Sequence, residues 1–127
     1  MARLLLDTCI VYDWLMGEIK DVKTSALIQA EDAYVSPVTV WEMAIKHRMG
    51  KLTLPTTEVE AAITGQGFAW IPIQPAHAQA LFTLPELHRD PFDLLLIAQA
   101  KSEGIRVVTY DSIFAKYLPD TIIPDHL

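Results

Sequence analysis

The chain reads as an α/β fold, a three-layer sandwich around a central, mostly parallel sheet. Three observations predict it. Short apolar runs such as Leu4-Leu5-Leu6 are too brief for helices and lack polar alternation, so they suit strands buried on both faces. Helical segments with clear start and stop signals separate these runs, and such alternation is the pattern of a parallel, helix-covered sheet. One helical segment, Leu94-Leu95-Leu96-Ile97-Ala98, is apolar on every side and belongs inside the molecule. A length of 127 residues fits one domain, expected to span 1–127.

The elements follow in order. Leu4-Leu5-Leu6 gives the first strand and stops at Asp7-Thr8. Residues 9–16 form a helix that Gly17 ends. Residues 21–32 form an amphipathic helix with Val22, Ala26, Leu27 and Ala30 on one side, and Ala33-Tyr34-Val35 is the next strand. Ser36 caps and Pro37 opens a helix whose stripe is Val38, Trp41, Ile45 and Met49 and which Gly50 closes. After a connector, Leu52-Thr53-Leu54-Pro55, Thr56 or Thr57 caps a further helix, ended by the turn Gly65-Gln66-Gly67. Residues 68–73 read as a strand that Pro72 confines to an edge. Pro75 opens a helix to about residue 84. An irregular loop then leads to the organising helix, 91–103, with Asp90 as cap, Pro91 at the first position and Gly104 past the end. Residues 105–110 form a strand, 112–117 a short helix, and Thr121-Ile122-Ile123 an apolar tail strand.

Composition narrows the function classes. Ten basic residues against sixteen acidic ones leave a net charge of −6, which suits a basic partner or a cation-gathering site better than direct electrostatic capture of nucleic acid. The single cysteine, Cys9, forms no internal disulfide and reads as a buried small residue. Neither C-x-x-C nor H-E-x-x-H occurs, which argues against zinc. No apolar run approaches the roughly 20 residues of a membrane helix. Met1-Ala2-Arg3 shows no signal-peptide pattern, so a reducing cytoplasm is the expected location.

Two aspartates stand out by position. Asp7 follows the first strand and Asp111 follows Val107-Val108-Thr109-Tyr110, which puts both at the carboxyl edge of the sheet, where α/β folds bind ligands. Asp93, in the first turn of the organising helix, and Glu42, beside Trp41, can face the same edge. Each has a plainer explanation: strand-end capping for Asp7 and Asp111, dipole compensation for Asp93, an i,i+4 pair with Lys46 for Glu42. Jointly these are weaker, because four gathered carboxylates repel one another and raise each other's pKa unless a divalent cation intervenes. Hard oxygen donors point to Mg²⁺ or Mn²⁺ and to phosphoryl chemistry. Lys46, His47, Arg48 and Lys51 form the densest basic patch, suited to phosphate groups or to the helix dipole; His88 and Arg89 sit in a loop that could also touch a phosphate-bearing ligand.

Leu4-Leu5-Leu6-Asp7-Thr8, Val35-Ser36-Pro37 leading to Trp41-Glu42, Asp90-Pro91-Phe92-Asp93 with Leu96-Ile97-Ala98-Gln99-Ala100, and Val108-Thr109-Tyr110-Asp111 together resemble the PIN-domain family, most closely its VapC-type toxins. Lys46, Gly50, Lys51 and Leu52 resemble one branch of that group. The resemblance covers essentially the whole chain. It implies a Mg²⁺-dependent endoribonuclease acting on tRNA or rRNA and neutralised by a cognate antitoxin. Asp7, Glu42, Asp93 and Asp111 would be its acidic quartet, with Thr8 and Thr109 as supporting hydroxyls. Cys9, Leu94 and Tyr110 depart from residues frequent in relatives and bear on substrate choice rather than on the quartet. A homodimer is expected, since 51% of the residues are hydrophobic and related toxins pair symmetrically. Two rivals remain. A phosphatase-like enzyme wants a second aspartate where Cys9 stands, and a non-catalytic RNA-binding or regulatory module has no need of four acids.

Overall fold

A computed structural model describes residues 3–124; Met1 and Ala2, at the start of the segment read above for a signal peptide, lie outside them. The chain forms a four-stranded sheet in the order β3-β2-β1-β4, with β1 at Arg3–Leu6, β2 at Asp32–Val35, β3 at Ala69–Trp70 and β4 at Arg106–Val108. Every pairing is parallel; Leu4 stands opposite Ala33 on one side and Arg106 on the other. A strand paired on both sides and covered on both faces has no exposed side chains to alternate, which is why Leu4, Leu5 and Leu6 are all apolar and all buried.

The strand period of two sends these leucines to opposite faces. Leu4 and Leu6 join a core with Ile10 and Val11 of α1 (Thr8–Leu15), Ile28 of α2 (Val22–Ala30) and Val59 and Ile63 of α4 (Val59–Gly65). Leu5 joins the other core, with Leu96, Ile97 and Ala100 of α6 (Pro91–Glu103) and Phe114 and Tyr117 of α7 (Ile113–Tyr117). The three-layer expectation holds. The helix α3 (Pro37–Arg48) touches both α1 and α6 and supplies Val38 to one core and Met43 to the other. The short α5 (Pro75–Ala80) packs on α6, and a 3₁₀ turn, Leu81–Thr83, follows it.

The centre of α6 is buried all round, from Leu96 to Ala100, as its apolar sequence requires. Its ends match the signals too. The Asp90 carboxylate accepts from the N–H groups of Phe92 and Asp93 at 2.9 and 3.0 Å, and Gly104 closes the helix at φ 65°, a left-handed conformation that suits glycine.

Several local expectations are corrected. The buried row of α3 is Val38, Thr39, Glu42 and Met43, one position round from the stripe of Val38, Trp41, Ile45 and Met49. Trp41 is 50% exposed and packs edge-on against Phe92, with ring centroids 4.7 Å apart. On α2 the buried positions are Thr24 and Ile28, while Val22 faces water. The α4 cap is Glu58; Thr56 instead accepts the Glu58 N–H in the turn before it. The tail strand is a single bridge, Ile122 beside Val108, because only Ile122 exchanges backbone hydrogen bonds with β4 and the residue after it. Among the described residues, no helix is long and apolar enough to cross a membrane.

Candidate metal centre

β1 ends at Leu6 and the chain turns at once into α1, so Asp7 is both the last residue of the strand edge and the cap of the helix. Its backbone N–H still bonds to Val108, while its side chain accepts from the Thr8 N–H at 2.6 Å. The second carboxylate oxygen accepts from the Thr109 hydroxyl, also at 2.6 Å. Thr109 follows β4, the neighbouring strand, and its hydroxyl oxygen in turn accepts from the Asp111 N–H at 3.1 Å. Parallel pairing of β1 with β4 is thus what brings Asp7, Thr109 and Asp111 together. Asp111 further accepts from the Ile113 N–H at 3.0 Å, fixing the turn into α7.

Glu42 comes from the other side. The rotation of α3 described above points it inward, and it is 3% exposed. Lys46, one turn on, donates to its Oε2 at 2.5 Å. Its Oε1 is buried with no hydrogen-bond partner, a condition shared among the described side chains only by Gln99 Oε1. A buried carboxylate oxygen left alone is unfavourable by about 1–3 kcal/mol or more. The expected i,i+4 pair and the expected site residue are therefore the same arrangement: Lys46 balances one oxygen and leaves the other buried without a partner.

The cavity holds about 440 Å³ and is lined by Asp7, Glu42, Lys46, Asp93, Thr109 and Asp111, with Cys9, Asp90, Tyr110 and Ser112 around them. Burial pushes the Asp7 carboxyl up to about 7, against the bonds from Thr109 and Thr8, with the charges of Asp93 and Glu42 adding to the rise. Burial likewise pushes Asp93 up to about 6, a bond from His88 opposing it and Asp90 and Glu42 reinforcing it. The Lys46 ammonium is raised, chiefly by its bond to Glu42. Acids held this high are short of positive charge. The donor set fits a divalent cation: four carboxylates, one of them with an unpartnered buried oxygen.

The four acids singled out from sequence all line this one cavity. Thr109 lines it as well, but the Thr8 hydroxyl faces Thr39 at 3.1 Å and ties α1 to α3 instead. Lys46 is engaged by Glu42, Arg48 and Lys51 are exposed at and beyond the end of α3, and Arg89 is exposed in the loop before α6. Cys9 is exposed at the cavity wall rather than buried in the core. Desolvation there, then the charges of Asp7 and Glu42, push its thiol up to about 11, which keeps it protonated. The residue that sequence reasoning did not place beside the acids is His88. Its Nε2 lies 2.7 Å from Asp93 Oδ2, and it comes from a loop where no periodicity marks direction. Its only sequence signal is nearness to the Asp90-Pro91 helix start.

Comparisons with known proteins agree with this architecture. The family profile described as PIN domain matches residues 4–117. No curated protein matches the sequence. A chain of a toxin–antitoxin complex from Klebsiella pneumoniae superposes with a TM-score of 0.68 at 17% identity, covering 98% of this chain and 99% of that one. A chain of DNA-bound VapBC from Salmonella typhimurium gives 0.69 at 19% identity, with 98% of each chain covered. A chain of FitAcB from Neisseria gonorrhoeae gives 0.63 at 18% identity, over 98% and 99%. At these identities the likeness is one of fold.

Proposed function

This chain belongs to the PIN domain family, and from that premise we propose that it is a divalent-cation-dependent endoribonuclease, the toxin of a toxin–antitoxin pair, hydrolysing phosphodiester bonds of tRNA or rRNA. The observation that carries the reading is the buried, unpartnered Glu42 oxygen in a cavity whose other walls are Asp7, Asp93 and Asp111. A cavity in which five acids outweigh a single lysine already bonded to Glu42 repels a phosphate until a further cation lies between.

Asp7, Asp93, Asp111 and Glu42 would hold Mg²⁺ or Mn²⁺. When bound, the ion supplies stabilisation of phosphoryl charge and a nucleophile at neutral pH. The chain's own contribution is placement. Thr8 and Thr109 donate to Asp7 and fix its carboxylate, the Asp90 cap fixes the turn that presents Asp93, and Ile113 fixes Asp111. Lys46 holds Glu42 and stands at the cavity wall, where its charge also favours an anionic backbone. Arg48, Lys51 and Arg89 are exposed cations available to more distant phosphates.

A cognate antitoxin and a second copy of the chain are the proposed protein partners, and the neighbours solved as toxin–antitoxin complexes support the first. The net charge of −6 favours an antitoxin segment that is basic and reaches the acids.

The test is Asp93→Asn, which keeps shape and removes one charge. With EDTA the variant should melt at or above the wild-type temperature, because a partly buried carboxylate pressed by neighbouring acids is gone. Cation affinity and RNA cleavage should collapse, with the same profile at Asp7→Asn and a milder one at Glu42→Gln. Full cleavage by Asp7→Asn or Asp93→Asn at ordinary Mg²⁺ concentration would sink the nuclease reading.

A further inference from the structure

The loop before α6 brings a nitrogen donor to the carboxylates. His88 Nε2, Asp93 and Asp111 each offer a ligand atom, and these atoms all lie within 4.8 Å of one another. Two donors each about 2.1 Å from one ion stand at most about 4.2 Å apart, so a small inward rotation of these side chains brings all three onto a single ion. The His88 and Asp93 side chains are 22% and 15% exposed, so the loop already holds the imidazole against the acid and largely out of water. A hydrogen-bond partner for Asp93 needs only one acid; the imidazole here has two within 4.8 Å, and the buried, unpartnered Glu42 Oε1 independently marks the neighbouring cavity as short of a cation.

We propose that His88 is a metal ligand together with Asp93 and Asp111, so that the site takes a first-row divalent transition ion in preference to Mg²⁺. The inference rests on the cation-dependent reading above and narrows it. Mg²⁺ prefers an all-oxygen octahedral shell, whereas imidazole nitrogen favours transition ions. Mn²⁺ is the weakest binder among those ions, so a preference for it over Mg²⁺ is a conservative sign of the nitrogen ligand.

Mn²⁺ is also a spectroscopic probe. The full chain is stripped with EDTA, loaded with Mn²⁺ and examined by pulsed electron paramagnetic resonance, and both Mn²⁺ and Mg²⁺ are titrated by calorimetry. The wild type should show ¹⁴N modulation from a coordinated imidazole and bind Mn²⁺ more tightly than Mg²⁺. His88→Gln should lose the modulation and at least about tenfold of its Mn²⁺ affinity, while its Mg²⁺ affinity stays near wild type. An all-oxygen spectrum in the wild type overturns the proposal without any variant. So does modulation that survives in His88→Gln, or an equal loss of both affinities, which would make His88 only an orienting partner of Asp93. If neither ion binds, the cation-dependent reading falls and this inference with it. If the ions bind as expected and RNA is not cut, the nuclease reading falls and the His88 assignment stands.

Discussion

At Asp7, folding and function pull in opposite directions. The folded protein holds its proton up to about pH 7, whereas an unfolded chain releases it near the ordinary 3.8. Between those values the folded state binds more protons, so the metal-free protein loses stability as pH rises, by about 1.4 kcal/mol per pH unit from this group while the gap is open. Asp93, raised to about 6, acts in the same direction over a narrower window. Melting curves with EDTA should therefore fall from pH 4 to pH 7 and flatten above. In Asp7→Asn the decline should be shallower, and at pH 7.5 the variant should melt higher than wild type; an unchanged slope would mean that Asp7 carries no such strain. Asp7 and Asp111 were legible in the sequence because each directly follows an apolar strand, and a parallel sheet collects such residues at one edge. His88 was not, because an irregular loop carries no period from which a direction can be read.

The elements show where pattern reading succeeds and where the site defeats it. Capping signals gave α6 its ends, since Asp90, Pro91 and Gly104 act through local backbone chemistry that needs no tertiary context. The apolar stripe assigned to α3 was one position out. Thr39 and Glu42 lie on the inward row and Trp41 outside it, a conflict between polarity and burial that belongs at functional sites. The Asp90 cap leads to a prediction at this scale. Its oxygen holds the N–H of Asp93 itself, so Asp90→Ala should remove about 0.5–2 kcal/mol of stability and also loosen the turn that presents Asp93. Asp21→Ala, at the cap of α2, is the control, because its carboxylate accepts the Lys23 N–H on an element that does not line the cavity. Chemical denaturation should show similar losses for the two, and RNA cleavage should drop only for Asp90→Ala. Parallel loss of cleavage in both would reduce the Asp90 effect to stability alone.

For the molecule as a whole, the exposed apolar side chains Trp41, Met49, Leu81, Phe82 and Leu87 are the surface expression of the high hydrophobic content. Exposed apolar surface of this kind marks interaction sites, and a dimer is the expected form. Sedimentation velocity at micromolar concentration should give a two-chain species, and a clean monomer there would remove the homodimer from the reading. The pairing of β1 with β4 has one more consequence, in time rather than in space. Asp7 and Thr109 are bonded across 102 positions of sequence, and the cavity has no far wall until β4 and Asp111 are in place. A chain emerging from the ribosome exposes its amino-terminal end first. On the nuclease reading, every growing chain that stops short of Asp111 is harmless to the RNA around it, the ribosome making it included. The activity arrives only once β4 and Asp111 have joined the edge that β1 and Asp7 began.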